Sequence, residues 1–350
     1  MMNIEGVHYL KHYPKSPKRQ KLSEYAVGLR AVDRLEVVSL MDNSADFTSD
    51  IDREEVQSVR KWVKKFGSAD LTERKLALPF AEHGFSMLVR VFHNGVAITI
   101  LFDAGISVDG VVDNAERMGI DLSKVEAIAL SHGHYDHFGG LLKVIEKVNK
   151  SDLPVFVHED MFKVRGVASS DGSIRKLPVF PTERQVKPAL FVRTKKPQLI
   201  ANDTVLVTGE IPRTSEFEKG LPKQRVLVDG TWHPDTWVWD DRALVVNVRN
   251  KGLVILSGCA HAGIVNTVAY AQKLIGISRI QAILGGFHLV GATIDTVMKT
   301  VEHIDSLKPI LVAPSHCTGW RAAFSIAKSM PGSFVWNSVG NLYTFQSNPA

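Results

Sequence analysis

Short apolar runs that end at a histidine are the most informative pattern along this chain. There are four of them: "VEAIALSHGH" at 125–134, "LVILSGCAH" at 253–261, "IQAILGGFH" at 280–288 and "ILVAPSH" at 310–316. Each run is short and does not alternate apolar with polar residues, which predicts strands that are buried on both faces. Helical patterns follow three of these runs, at 139–150, 263–276 and 292–307.

The order strand, helix, strand predicts parallel pairing with right-handed crossovers. The histidines are then expected along one edge of a sheet, at the carboxyl ends of its strands, where open α/β sheets bind ligands. The first half adds strand-like stretches at 34–43, 84–95 and 96–105, and Asn94-Gly95 predicts a hairpin between the last two. Each half is therefore predicted to form a mixed sheet with helices outside. The predicted fold class is α/β, an αββα (αβ/βα) sandwich.

Residues 160–242 differ from the rest of the chain because they are rich in proline and charge, with one clear strand in "NDTVLVTGEIPR". We predict an insertion folded over the active-site edge of the sandwich. Its segment "TWHPDTWVWDD" at 231–241 is either a small satellite core or an aromatic lid over that edge. The predicted organisation is a basic N-terminal extension at 1–34, followed by a single domain at 35–350 that includes the insertion.

Composition limits the classes of protein that the chain can be. With 45% hydrophobic and 23% charged residues it is typical of soluble globular proteins. It has no apolar run long enough to cross a bilayer and no secretory signal, so we expect a cytoplasmic protein without a membrane partner. Two cysteines exclude a disulfide scaffold. The net charge of +5 includes a basic stretch at 11–21, which we interpret as a solvated arm, because nucleic-acid signatures are lacking.

The stretch "SHGHYDHFGG" at 131–140 predicts a metal site. It supplies four candidate ligands, which are His132, His134, Asp136 and His137. In a tight turn after a strand, the first two can hold one cation and the last two a second. Imidazole and carboxylate suit zinc, iron(II) or manganese. We therefore predict two divalent metal ions, with Zn²⁺ favoured over Fe²⁺ and Mn²⁺.

The motif "HGHYDH" resembles the His-x-His-x-Asp-His signature of the metallo-β-lactamase superfamily, and the resemblance extends over most of residues 35–345. The stretches "LMDNSAD", "AEHGFS", "LFDAGIS", "TGEIPR", "SGCAHAGIVNT", "GGFHL" and "HCTG" are similar to one branch of it. That branch contains the archaeal 7,8-dihydropterin-6-methyl-4-(ribofuranosyl)-aminobenzene-5′-phosphate synthase proteins. The resemblance implies the αββα sandwich as the fold.

The resemblance also implies further metal ligands: a third histidine for the first cation, an acidic bridge, and a late histidine for the second. The late histidine corresponds to His316. The usual Gly-Asp pair of the bridge is replaced here by Gly258-Cys259, so either the Cys259 thiolate or a water or hydroxide alone links the cations. For the third ligand of the first cation we favour His261, with Glu210 as the alternative.

Four other residues are candidates for roles near the metals. His288 is either a loop histidine bonded to the backbone or a residue that faces the substrate or supports the ligands; we favour the latter and predict it to be catalytic together with Asp136, because the adjacent glycines allow close approach. His83 is either a hydrogen-bonded loop residue or a substrate contact. Asp103 either orients a ligand histidine or forms a turn. Cys317 is expected to be a packed thiol beside the site.

The chemistry predicted first is hydrolysis, in which a metal-activated hydroxide attacks an ester, phosphoester or related anionic small molecule. Transfer of a dihydropterin methyl group to an aminobenzene ribofuranosyl phosphate is an alternative that uses the same metal site. A non-enzymatic metal-dependent sensor is another. The chain lacks both a Gly-x-Ser-x-Gly motif and a P-loop, so serine hydrolysis and nucleotide hydrolysis of those types lack support.

Overall fold

A computed structural model describes residues 27–51, 53–66 and 78–347. Its strands are β1 (Arg34–Met41), β2 (Val56–Gln57), β3 (Ser86–His93), β4 (Val96–Phe102), β5 (Ala127–Ala129), β6 (Pro154–Val157), β7 (Arg165–Ala168), β8 (Ile174–Lys176), β9 (Leu190–Arg193), β10 (Gln198–Ile200), β11 (Val205–Val207), β12 (Gln224–Val228), β13 (Thr231–Pro234), β14 (Ala243–Val248), β15 (Gly252–Ser257), β16 (Ile280–Gly286), β17 (Leu311–Ser315) and β18 (Leu342–Gln346). Its α-helices are α1 (Val59–Phe66), α2 (Gly110–Arg117), α3 (Tyr135–Phe138), α4 (Leu141–Val148), α5 (Glu183–Val186), α6 (Ile264–Ile275), α7 (Ile294–Ser306) and α8 (Trp320–Ser329).

The first sheet has eight strands in the order β2-β18-β1-β3-β4-β5-β6-β9. Strands β3 and β4 are antiparallel, and His93 pairs with Val96 across the turn at Asn94-Gly95. Both turn residues have positive φ, at 50° and 80°, as a tight two-residue hairpin requires. The predicted hairpin is therefore confirmed. From β4 to β9 the neighbouring strands are parallel.

The second sheet has six strands in the order β10-β11-β14-β15-β16-β17. Strands β15, β16 and β17 are parallel, with α6 and α7 as the crossovers between them. The predicted parallel arrangement of the last three histidine-ending runs is thus confirmed. The first run is different, because β5 belongs to the other sheet. The histidines lie at the ends of strands from two different sheets. The prediction that they all lie along the edge of one sheet is therefore wrong.

The two sheets and the helices pack as layers, which confirms the predicted αββα sandwich. Side chains alternate between faces along a strand. In β14, Leu244 and Val246 belong to the core between the sheets, whereas Ala243 and Val245 belong to the core under α6, α7 and α8. A third core packs α2 and α4 against the outer face of the first sheet. Each sheet is therefore covered on both faces, which explains the continuous apolar runs in the sequence.

The segment predicted as an insertion, 160–242, contributes to three sheets. Strands β7, β8, β12 and β13 form a separate four-stranded sheet in the order β13-β12-β7-β8. Strand β9 lies at one edge of the first main sheet, and β10 and β11 belong to the second. The boundaries 160–242 thus include strands of the sandwich itself as well as the additional sheet.

Part of the predicted N-terminal extension packs on the domain. Val32 forms an isolated parallel bridge with Val248, and the backbone N–H of Val27 donates to the carbonyl of Leu274. The basic stretch 11–21 lies outside the described residues. Within the described ranges, none of the helices is long and apolar enough to cross a membrane.

Candidate metal centre

The loop that carries the first four candidate ligands leaves the end of β5 and enters the short helix α3, with His134 at its N-terminal boundary. Helix α4 follows almost at once, and the two glycines between α3 and α4 explain how the chain fits there. A Cβ at Gly139 would overlap the carbonyl oxygen of Ile106, and one at Gly140 would lie 2.5 Å from the carbonyl oxygen of Ala104. The Gly-Gly pair therefore lets this loop pack directly on the loop that follows β4.

Several loops at this edge of the sandwich carry a residue with a strained backbone. Non-glycine residues with positive φ include Asp103 at 62°, Ala260 at 52°, His288 at 43° and His316 at 48°. Such conformations cost free energy and persist only where the surrounding structure holds them. Each of these residues follows a strand at this edge, so the fold gives up some stability to aim these loops at one point.

His132, His134 and His261 form the first cluster. Nε2 of His132 lies 2.9 Å from Nδ1 of His134 and 3.0 Å from Nε2 of His261, and the third pair, His134 to His261, is also 3.0 Å apart. All three side chains are buried. Burial lowers the pKa of each imidazole, that of His134 to about 4. The three rings are therefore neutral at pH 7, the form that binds metal.

The nitrogen triangle fits a cation better than it fits hydrogen bonding. Each facing nitrogen of a neutral imidazole is either an N–H donor or a lone-pair acceptor. Among three nitrogens in mutual contact, at least one pair must therefore be of the same kind and repel. A cation at the centre accepts three lone pairs without this conflict. The residues predicted for the first cation thus have a donor arrangement suited to it.

Asp136, His137, Cys259 and His316 form the second cluster, whose ligand atoms all lie within 4.8 Å of one another. Oδ2 of Asp136 is 3.1 Å from Nε2 of His316 and 3.6 Å from Nε2 of His137. Although burial disfavours the charged carboxylate, these two histidines hold the pKa of Asp136 well below its usual range. One carboxylate, two imidazoles and one thiol make a donor set suited to zinc or iron(II).

Asp103 fixes the orientation of His137 within the second cluster. Its Oδ2 lies 2.7 Å from Nδ1 of His137, and its two oxygens also accept from the N–H and hydroxyl of Ser131, each at 2.6 Å. Although burial favours the neutral imidazole, the carboxylates of Asp136 and Asp103 raise the pKa of His137 to about 9. A proton on Nδ1 leaves Nε2 of His137 directed at the other candidate ligands. This is the carboxylate–histidine pairing that supports metal ligands in proteins.

The Gly258-Cys259 pair lies between the two clusters. A Cβ at Gly258 would overlap the hydroxyl of Ser131, so this strand end approaches the Asp103–Ser131 pair through its bare backbone. The Sγ atom of Cys259 lies 3.1 Å from Nε2 of His137 and 3.2 Å from Sγ of Cys317. Both thiols are free and buried.

The other candidates surround the clusters at different depths. His83 is exposed and stacked on His316 with ring centroids 4.8 Å apart, and its Nε2 is 3.7 Å from Oδ2 of Asp136. The ring of His288 contacts that of His261 at 4.4 Å, on the side of the second sheet. Glu210, the alternative ligand for the first cation, instead lies 3.2 Å from Nε2 of His158. Among the described residues, His261 lies close enough to His132 and His134 to share a metal ion with them, whereas Glu210 belongs to no such group.

Sequence reasoning missed the residues that hold the ligand loops in place at the end of β1. Asp42 accepts from the backbone N–H of His316 at 2.8 Å and from the Asn337 amide at 2.7 Å. Asn43 donates to the carbonyl of His316 at 3.1 Å and accepts from Nδ1 of its ring at 3.2 Å. These bonds turn Nε2 of His316 toward the second cluster. The sequence offered one signal for these residues: in "LMDNSAD" the polar pair Asp42-Asn43 directly follows an apolar strand.

An acidic pair, Asp240-Asp241, was also missed in the Trp-containing segment. Asp240 accepts from the N–H of Gly133 at 2.8 Å and pairs with the buried Arg165. Asp241 accepts from the N–H of Ala262 at 2.9 Å, and burial raises the pKa of its carboxyl to about 6. The segment therefore anchors the loops on either side of the first cluster. Its signal was the pair of acids that precedes the mostly apolar strand β14, with Arg242 between the pair and the strand.

Comparisons with known proteins show which family the chain resembles. Residues 80–270 match the Metallo-beta-lactamase superfamily. The 7,8-dihydropterin-6-methyl-4-(beta-D-ribofuranosyl)-aminobenzene-5′-phosphate synthase of Methanocaldococcus jannaschii is 30% identical over 281 residues, covering 76% of this chain and 92% of the synthase. An uncharacterized protein of that organism is 34% identical over 270 residues, covering 75% and 93%. A solved metal-dependent hydrolase of the beta-lactamase superfamily has a TM-score of 0.64 at 24% identity, covering 90% of this chain and all of its own.

These comparisons correct the predicted chemistry. The similar protein with a named activity is a synthase, whereas the hydrolase of known structure, at 24% identity, supports the fold alone. The prediction of a hydrolase is therefore wrong, and the pterin-methyl transfer that stood beside it is better supported. The similarity to the archaeal synthase covers nearly the whole of that protein, and the match at residues 80–270 covers more than half of this chain. The chain thus belongs to the metallo-β-lactamase superfamily.

Proposed function

We propose that this protein is a metal-dependent transferase that joins a dihydropterin methyl carbon to the nitrogen of an aminobenzene ribofuranosyl phosphate. The observation that carries the proposal is the 30% identity to the M. jannaschii synthase across 92% of that enzyme. In the proposed reaction, the aminobenzene nitrogen attacks the methylene carbon of a hydroxymethyl-dihydropterin pyrophosphate. A carbon–nitrogen bond forms, the carbon–oxygen bond to pyrophosphate breaks, and the nitrogen loses a proton.

Two divalent cations, with zinc favoured, are part of the proposal. His132, His134 and His261 would hold one of them, and Asp136, His137 and His316 the other. Cations bound there supply electrostatic stabilisation of the negative charge that develops on the departing pyrophosphate. Asp136 and His288 remain the predicted catalytic residues, since Asp136 is partly exposed within the second cluster and His288 contacts His261 of the first.

An exposed aromatic surface beside the clusters supports a substrate with flat rings. It consists of Trp320, Phe324 and Trp336, which are 62%, 59% and 39% exposed and have successive ring centroids 6.0 and 6.1 Å apart. Trp320 lies just after the turn that carries His316. Nε1 of Trp336 donates to the hydroxyl of Ser44 at 3.1 Å, and the neighbouring Asn43 is hydrogen-bonded to His316. Pterin and aminobenzene rings stack well on such side chains.

The test is a coupling assay with purified protein, zinc, a hydroxymethyl-dihydropterin pyrophosphate and 4-(ribofuranosyl)aminobenzene 5′-phosphate. Mass spectrometry should detect the joined product together with an equal amount of pyrophosphate. Chelation should abolish the product, and zinc should restore it. In the His132→Ala variant product formation should fall by at least about 10²-fold, because one ligand of the first cluster is lost.

His303→Ala is the matched control, because His303 is an exposed histidine on α7 that belongs to neither cluster. It should retain wild-type product formation. Release of free hydroxymethylpterin and pyrophosphate without the joined product would contradict the proposal. So would product formation that survives chelation.

A further inference from the structure

The Cys259 thiol is the side chain of this edge that the proposed reaction leaves without a role. It is buried, with 2% of its surface exposed, and it follows the end of β15. Its Sγ atom lies within 4.8 Å of ligand atoms of Asp136, His137 and His316. Sγ of Cys259 also lies within 4.8 Å of ligand atoms of His261 and His288. The sulfur therefore touches both sides of the candidate centre.

The position of the sulfur would suit an atom shared by two cations. Paired metal ions in enzymes lie about 3.5–4 Å apart, and a zinc–sulfur bond is about 2.3 Å long. One sulfur between two ions can thus reach both. His261 belongs to the first cluster and also to the group that contains Cys259, so it places the sulfur next to the first cluster as well as within the second.

Two side chains, those of His137 and Cys317, lie in hydrogen-bond contact with the Cys259 sulfur. Nδ1 of His137 is engaged by Asp103, so its other ring nitrogen, Nε2, faces Sγ of Cys259 at 3.1 Å. Sγ of Cys317 is positioned to donate to Sγ of Cys259 at 3.2 Å and to the Cys259 carbonyl at 3.5 Å. Because a carbonyl oxygen can only accept, Cys317 is the donor in its contact with the Cys259 backbone.

We propose that the Cys259 thiolate is a metal ligand that joins the two clusters, with Cys317 as its hydrogen-bond donor. A soft thiolate favours zinc or iron(II) over manganese or magnesium, which prefer oxygen ligands. The residue would thereby set which metal the protein selects. This inference concerns metal ligation alone, so it can fail while the proposed transferase activity holds, and the reverse is also true.

X-ray absorption of the zinc-loaded protein, kept reduced with a phosphine, tests the ligand directly. The wild type should show a sulfur shell at about 2.3 Å beside nitrogen and oxygen at about 2.0–2.2 Å. Cys259→Ser should lose the sulfur shell, whereas the matched control Cys317→Ser should keep it. Circular dichroism and thermal unfolding should show that both variants are folded.

A third variant, Cys259→Asp, separates the loss of sulfur from the loss of a ligand. It should keep the wild-type number of bound cations, lack the sulfur shell and lose at least about tenfold of the preference for zinc over manganese, measured by competition. A wild-type spectrum without sulfur would overturn the proposal, and that result does not depend on any variant folding. A sulfur shell lost in Cys317→Ser and kept in Cys259→Ser would also overturn it.

Discussion

Replacing Asp103 by asparagine should weaken one of the two metal positions and spare the other. Asp103 has φ of 62°, a conformation that asparagine tolerates equally well, so the backbone should not change. The oxygen of the new side-chain amide can still accept from the N–H of Ser131. The amide NH₂ would then face Nδ1 of His137, which carries a proton, and two donors cannot pair. His137 must move its proton to Nε2, the nitrogen that faces the second cluster.

The size of the effect follows from the contacts that change. The Asp103–His137 contact of 2.7 Å is lost as a charge-assisted hydrogen bond, and the metal-facing nitrogen acquires a proton that a cation must displace. Loss of such a supporting carboxylate typically costs about 10–100-fold in metal affinity, which is about 1.4–2.7 kcal/mol. The first cluster does not use this contact, so its affinity should change by less than about twofold.

The assay is a two-site zinc titration in competition with a chromophoric chelator, with bound metal counted by mass spectrometry. Asp109→Asn is the matched control, because Asp109 is exposed and its side chain makes no capping hydrogen bond to α2. Both variants should unfold cooperatively and bind the first zinc ion as the wild type does. Equal weakening of both positions by Asp103→Asn, or no weakening of either, would refute the reasoning.

Three further predictions concern stability and substrate binding. Burial raises the pKa of Glu218 to about 7, so its native form holds a proton that the unfolded chain releases above its ordinary pKa of 4.5. The stability that this group contributes is complete below pH 4.5 and is lost as the pH rises through 7. In urea unfolding, the free energy of unfolding of the wild type should therefore fall between pH 5 and 8, and Glu218→Gln should make that fall smaller by on the order of 2 kcal/mol. A fall of unchanged size in the variant would contradict this. Gly139→Ala should lower the free energy of unfolding by about 1–3 kcal/mol, since the new Cβ overlaps the Ile106 carbonyl. The control Gly332→Ala has open space at its Cβ, so its free energy of unfolding should stay within about 0.5 kcal/mol of the wild type. Equal effects of the two substitutions would refute the packing argument. Trp320→Ala should raise KM for the pterin substrate about tenfold, as expected for losing ~1–3 kcal/mol of ring stacking, with kcat nearly unchanged; a fall in kcat alone would exclude a stacking role.

Much of the fold could be predicted because the apolar pattern is local information. Runs without alternation indicated strands covered on both faces, and the Asn94-Gly95 turn specified the β3–β4 hairpin through its positive φ requirement. The segment 160–242 was harder. Its short strands β9, β10 and β11 carry weak patterns, and they are held by pairing with distant strands of the two main sheets, which a local pattern does not reveal.

The sequence by itself determined which residues could bind metal, since the spacing of "HGHYDH" and the histidines after apolar runs are written in the chain. Tertiary structure alone decided how they combine. It brought His261 to 3.0 Å from both His132 and His134 and left Glu210 beside His158. It also brought Asp103, Asn43 and Asp240 to the ligand loops across separations of up to 273 residues. The physical reason is that strand ends meet only when two sheets pack, and no pattern along a chain fixes that meeting point.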